Sequence, residues 1–192
     1  MKFLLSCLLS LLLSTVVLSQ SPSSQQCSQW VANEAIYQGH FSPACKVLTS
    51  ACIQRITTCP GVVQLWSDHV CVAAATCQGT EKTIGIGSCL NSEIASLGHE
   101  GLFSITIDVW NQQVAPYCST APGRCPVSRQ NFIDFIYRTL DVTLGSGVWP
   151  DAQTEVIDLW WDALVQWGGA SATPDRVDYG VFNDWLRNSH SQ

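Results

Sequence analysis

Charge is scarce in this 192-residue chain: nine Lys and Arg and fifteen Asp and Glu amount to 12% of it, with a net charge of −6. No cluster of Lys or Arg exists to neutralise phosphates, which excludes nucleic acid as a partner and argues equally against an anionic membrane surface. Asn-X-Ser/Thr sequons are missing too, since Asn91-Ser92-Glu93 and Asn188-Ser189-His190 both fail, so N-glycosylation is not expected. No two cysteines stand at C-x₂₋₄-C spacing, which removes the usual structural zinc site. A Gly-X-Ser-X-Gly elbow is absent, disfavouring a serine hydrolase. His99-Glu100 fails as a zinc motif because Phe103, not a second His, stands four residues beyond His99. Gly85-Ile86-Gly87 precedes no phosphate-binding pattern and reads as turn glycine. No metal and no cofactor is expected, and no catalytic set is legible.

Long apolar runs are confined to the start. Met1-Lys2 and the leucine-rich stretch Phe3 to Leu18 lead to small residues before Gln20, the pattern of a secretory signal peptide over residues 1–19. It is too short and too broken by serine to span a membrane, and nothing later approaches ~18 unbroken apolar residues. The tail Asn188–Gln192 carries no lipid-anchor signal. The reading is therefore a secreted, extracellular, soluble chain of about 173 residues, enough for one packed unit. Loss of the single charge of Lys2 takes its net charge from −6 to −7.

Cysteine is abundant. Of the ten, Cys7 leaves with the signal peptide; Cys27, Cys45, Cys52, Cys59, Cys71, Cys77, Cys89, Cys118 and Cys125 remain. In an oxidising compartment that density reads as a disulfide framework. Nine is odd, so at most four bridges form, and one thiol stays free or links two chains as a dimer. On the order of a hundred pairings of eight cysteines are open. Cys45, Cys52 and Cys59 recur every seven residues, nearly two helical turns, and so share one side of a helix.

Periodicity predicts a mainly α fold. Ser28 to Gln38 reads as a helix ended by Gly39. A second starts at Pro43, where a missing N–H costs nothing, runs to Thr58 and is stopped by Pro60-Gly61. A third covers Val62 to Thr76. Gly79 to Gly87 reads as loop or turn, and Ser88 caps a short helix to Leu97. Phe103–Val109 alternates like a strand but also fits a helical stripe through Leu102, Ile105, Val109 and Trp110; lacking a strand partner, it is assigned to helix as far as Val114. Beyond Cys125 there is no cysteine but five of the eight tryptophans: Trp149, Trp160, Trp161, Trp167 and Trp185. Stability there must come from apolar packing. Ser128 caps a helix to Gly145, with Val127 and Phe132 as its staple. Asp151 opens a helix to Trp167, ended by Gly168-Gly169, and Asp178 opens the last.

Two segments fifty residues apart match in register. Val127-Ser128 with Asn131-Phe132-Ile133-Asp134-Phe135-Ile136 lines up with Val177-Asp178 and Val181-Phe182-Asn183-Asp184-Trp185-Leu186. The pattern resembles the second half of the EF-hand, the calcium-binding helix-loop-helix family. The resemblance implies that Val127 and Val177 pair across two loops, and that Phe132 and Phe182 open the following helices. It also implies that helices ending near Val114 and at Trp167 lead into the loops. Tyr179 fits as well. Calcium's ligands are missing, however: Val181 and Asn131 stand where the bidentate Glu should be, and the second loop offers only Asp175 and Asp178. The expected architecture is a disulfide-stapled helical bundle, cysteine-rich over residues 20–98, with a C-terminal pair of EF-hand-like units over 99–192, packed as one globular unit. Its overall style is similar to small secreted cysteine-rich proteins of fungi.

Asp68-His69 with Cys71 is similar to the active-site helix of secreted phospholipases A2, with the order reversed and the calcium loop absent; adjacent helical residues diverge by ~100°, so Asp68 does not orient His69. Asp151, Glu155, Asp158 and Asp162 form an acidic stripe on one helix, either a solvated face or a docking strip for a basic partner. Val156, Trp160, Leu164 and Trp167 make that helix's core face. Trp161 and Val165 lie on a second stripe, either packed on another helix or, if exposed, an anchor for a partner, sugar or lipid. The leading expectation is a non-enzymatic, effector-like protein recognising an extracellular protein, glycan or apolar ligand through a surface or groove. The alternatives are a small hydrolase using carboxylates such as Glu100 or Asp108 in a cleft, and a carrier of an apolar ligand.

Overall fold

The computed structural model describes residues 22–58, 65–97, 103–114, 125–144 and 147–188. Residues 1–19, expected as a signal peptide, Cys59, Pro60-Gly61, His99-Glu100, Cys118 and the last four residues lie outside these. Ser23 caps helix α1 (Ser24–Ala32) in a reciprocal box, accepting from the Gln26 N–H while its own N–H donates to the Gln26 side chain. The helix thus begins earlier than its sequence suggests and ends earlier as well. Beyond it, β1 (Ile36–Tyr37) and β2 (His40–Phe41) pair antiparallel, Ile36 opposite Phe41 and Tyr37 opposite His40. Gln38 and Gly39 take φ of 48° and 77°. Two successive positive φ values make the hairpin turn whose twist matches the strands. Gly39 therefore turns a hairpin and does not terminate a helix.

Helix α2 (Pro43–Thr58) starts where the proline places it, with the Ser42 hydroxyl accepting from the Cys45 N–H. Cys45 and Cys52 share one side and bridge to Cys77 and Cys71 of α3 (His69–Gln78), a double staple between antiparallel helices. Cys27 of α1 is bridged to Cys89 of α4 (Thr80–Leu90). Cys125 is also disulfide-bonded, and its partner lies outside the described residues.

Helix α3 begins seven residues later than expected. Leu65–Ser67 is a single 3₁₀ turn, and Asp68 then caps α3 by accepting from the Val70 N–H at 2.8 Å. From Val70 to Gln78 every residue of α3 is buried. Small side chains at Ala73, Ala74 and Ala75 let neighbours close in from all round, and α2, α4, α7 and α9 all pack on it. Its polar end is satisfied: the Gln78 amide donates to the Thr83 hydroxyl and accepts from the Ala35 N–H.

The segment expected as a loop, Gly79 to Gly87, is mostly the helix α4. Its glycines are there for packing: a Cβ on Gly85 would lie 2.7 Å from the Trp30 ring, so α1 and α4 meet closely only because that position is bare. The short helix α5 (Ser92–Leu97) follows.

Phe103–Thr106 has no regular secondary structure, the Thr106 N–H donating to the Trp66 carbonyl, and helix α6 (Ile107–Val114) begins only after it. Strand β3 (Val127–Ser128) leads into α7 (Arg129–Leu144), capped by the Ser128 hydroxyl, which accepts from the Asn131 N–H at 3.1 Å. After Asp151 the helix is wide: Ala152–Trp161 bonds i to i+5, then tightens into α8 (Asp162–Gly168). Strands β4 (Ala172–Thr173) and β5 (Arg176–Val177) join β3 in the order β3-β5-β4, with Val127 opposite Val177, before helix α9 (Tyr179–Asn188). Phe132 lies 5.3 Å from Trp161, and Trp110 lies 5.3 Å from Tyr179 and 5.8 Å from Phe182. Val156, Trp160 and Leu164 are buried as expected, but Trp167 is 42% exposed and its indole donates to Asp184. The wide turns displace any stripe drawn at 3.6 residues per turn. Trp161 rotates inward and Trp167 outward.

Candidate functional site

Arg55 in the last turn of α2 and Asp68 at the cap of α3 clasp the two helices, Nη1 lying 2.7 Å from both carboxylate oxygens. They stand three residues from Cys52 and Cys71, so the ion pair and the bridge hold the same helix ends together. Asp68 thereby serves the cap and the arginine, and His69 next to it faces a cleft of about 660 Å³. Burial lowers the His69 pKa; the Asp68 charge opposes this and Arg55 adds to it. The imidazole is therefore neutral at pH 7.

The opposite wall comes from α6 and α7. Asp108, Asn111 and Gln112 line it from α6, and Phe135, Arg138, Thr139 and Val142 from α7. Arg138 ties these helices together, donating from Nε to the Asp134 carbonyl and from Nη2 to the Gln112 carbonyl, each at 3.1 Å. A cation at the last turn of α6 suits that helix's dipole. Phe135 is buried and Val142 is 66% exposed, so the cleft has an apolar floor and an apolar lip. The Asn111 side-chain oxygen is buried with no hydrogen-bond partner. An unmade hydrogen bond of that kind costs about 1–3 kcal/mol.

The other residues singled out by sequence lie elsewhere. Trp161 is fully buried, its indole donating to the Pro174 carbonyl at 2.8 Å, and Val165 is partly buried against the core. Neither forms an exposed anchor. Within the acidic stripe, Asp151 caps its own helix through the Gln153 and Thr154 N–H groups. Glu155 accepts from the Asp151 N–H and lies 3.6 Å from His40 Nε2. Asp158 accepts from Gln153 at 2.6 Å, and Asp162 is half-buried. The stripe is thus largely engaged in the helix's own first turns. Asp108 does stand in a cleft; Glu100 lies outside the described residues. Arg55, Arg138, Asn111 and Phe135 were not legible as site residues, because their convergence depends on how four helices pack.

Among the described residues no three His, Cys, Asp or Glu side chains converge on a metal-sized site, and no helix is long and apolar enough to cross a membrane. No protein-family model matches the chain, and neither a curated protein nor a solved structure with significant similarity to it was found.

Proposed function

We propose that this is a secreted, non-enzymatic recognition protein that takes its ligand in the cleft between the stapled pair α2–α3 and the pair α6–α7. The observation carrying this reading is the cleft itself. It is of ligand size, floored by Phe135, and edged by polar and charged groups from both helix pairs. Disulfide bonds fit an oxidising, extracellular setting. The Val127–Val177 pairing supports reading the C-terminal region as a pair of EF-hand-like units kept as scaffold, with packed aromatics in place of an ion. Crystals of the oxidised protein soaked in a fragment mixture test the proposal. Fragment density is expected between α2–α3 and α6–α7; fragments bound only elsewhere, with this cleft empty, would refute it.

His69 and Asp108 in one cleft favour, as a second reading, a small hydrolase in which the neutral imidazole is the base. The lining offers no serine or cysteine nucleophile, so water would have to attack. Turnover of chromogenic esters that is lost on Asp108→Asn would decide for the enzyme.

A further inference from the structure

The cleft's charges are unequal in what they already do. Asp68 holds Arg55 through Nη1 alone. Arg138 forms no ion pair among the described residues; both of its bonds go to backbone carbonyls. A guanidinium has five N–H donors in a planar fork that matches a carboxylate. Arg138 is thus an exposed cation at the rim of an apolar-floored cleft, and no described side chain answers its charge. The unpaired atom of Asn111 on the same wall is an acceptor oxygen and so takes no part in holding an anion. Asp108, exposed on the same wall, would repel a second negative group.

Resting on the recognition reading above, we infer that the ligand class is a small monocarboxylic acid with an apolar body. Its carboxylate meets Arg138, with Arg55 as a second donor, and its hydrocarbon part lies on Phe135 and against Val142. A polyanion would be disfavoured by Asp108, and an organic cation by Arg138, whose charge is unpaired among the described residues.

Three probes of equal length, octanoate, octan-1-ol and octylammonium, separate head group from tail. Titrated into the oxidised, ¹⁵N-labelled protein, octanoate should shift the amides of α6 and α7 and bind about tenfold tighter than octan-1-ol, the advantage of one charge-assisted pair. Octylammonium should bind more weakly than either. Arg138→Gln should bring octanoate down to the level of octan-1-ol, and Val142→Asp should weaken both. Both side chains are largely exposed, so unchanged amide positions outside the cleft will show that the variants fold. Equal binding of acid and alcohol, or preference for the amine, would overturn the carboxylate inference while leaving the cleft as the site. Probes that shift no cleft amide would also overturn it. The recognition reading falls only if the fragment-soaked crystals leave the cleft empty as well.

Discussion

Gly85 faces the Trp30 indole at a distance no methyl group can share, whereas a Cβ on Gly180 in α9 would meet nothing within 4 Å. The two glycines should therefore respond oppositely to the same change. Gly85→Ala should destabilise the protein by about 1–3 kcal/mol, the cost of overpacking a close contact between two helices. Gly180→Ala should be neutral or stabilising by about 0.5 kcal/mol, because it removes unfolded-state freedom in a helix. Urea midpoints at unchanged m-value check both. His69 gives a pH prediction. Its folded pKa lies below the ordinary 6.5, chiefly because of burial. Between that folded value and 6.5 the unfolded chain binds more protons than the native one. Stability from the neutral imidazole is thus fully present above about pH 6.5 and is lost as pH falls toward the folded pKa. The melting temperature of the wild type should fall more steeply than that of His69→Gln on going from about pH 7 to 5. Parallel slopes would show that the imidazole is not held neutral.

At the level of elements, the bridges differ in access. Cys45, Cys52, Cys71 and Cys77 are buried, while Cys27 and Cys89 are only half-buried. Limited reductant should open Cys27–Cys89 before either bridge between α2 and α3, as differential alkylation and mass spectrometry would show; early labelling of Cys52 or Cys71 would contradict this. Removing the inner bridge with Cys52→Ala and Cys71→Ala should cost about 2–4 kcal/mol. Some of this was legible in sequence. The seven-residue spacing of Cys45 and Cys52 announced a shared helix side, and the matched valines announced a pairing register. Other elements were hidden for physical reasons. Helix α4 reads as a turn because its glycines answer packing contacts, Gly85 with Trp30 of α1 and Gly87 with Ile94 and Ile56, that the local sequence does not show. The hairpin is masked because Gln38, a non-glycine residue, takes a positive φ. The displaced faces of Trp161 and Trp167 follow from wide helical turns that a 3.6-residue period cannot represent. His69 was noticed but weighed only with its chain neighbours Asp68 and Cys71, since its cleft exists only once α6 and α7 pack opposite α2 and α3.

For the whole molecule, the seam between the cysteine-rich and tryptophan-rich regions matters most. Helix α7 packs on α2 and α3, and α9 on α3 and α4, so the cleft lies where the two regions meet. A cleft walled by both can recognise a ligand only if they fold as one body. Calorimetry on the oxidised protein tests this most directly. The account predicts a single endotherm whose calorimetric and van't Hoff enthalpies agree. Two endotherms, the lower one unchanged when the bridges are reduced, would mean that the tryptophan-rich region melts by itself and that the cleft is a gap between independent parts.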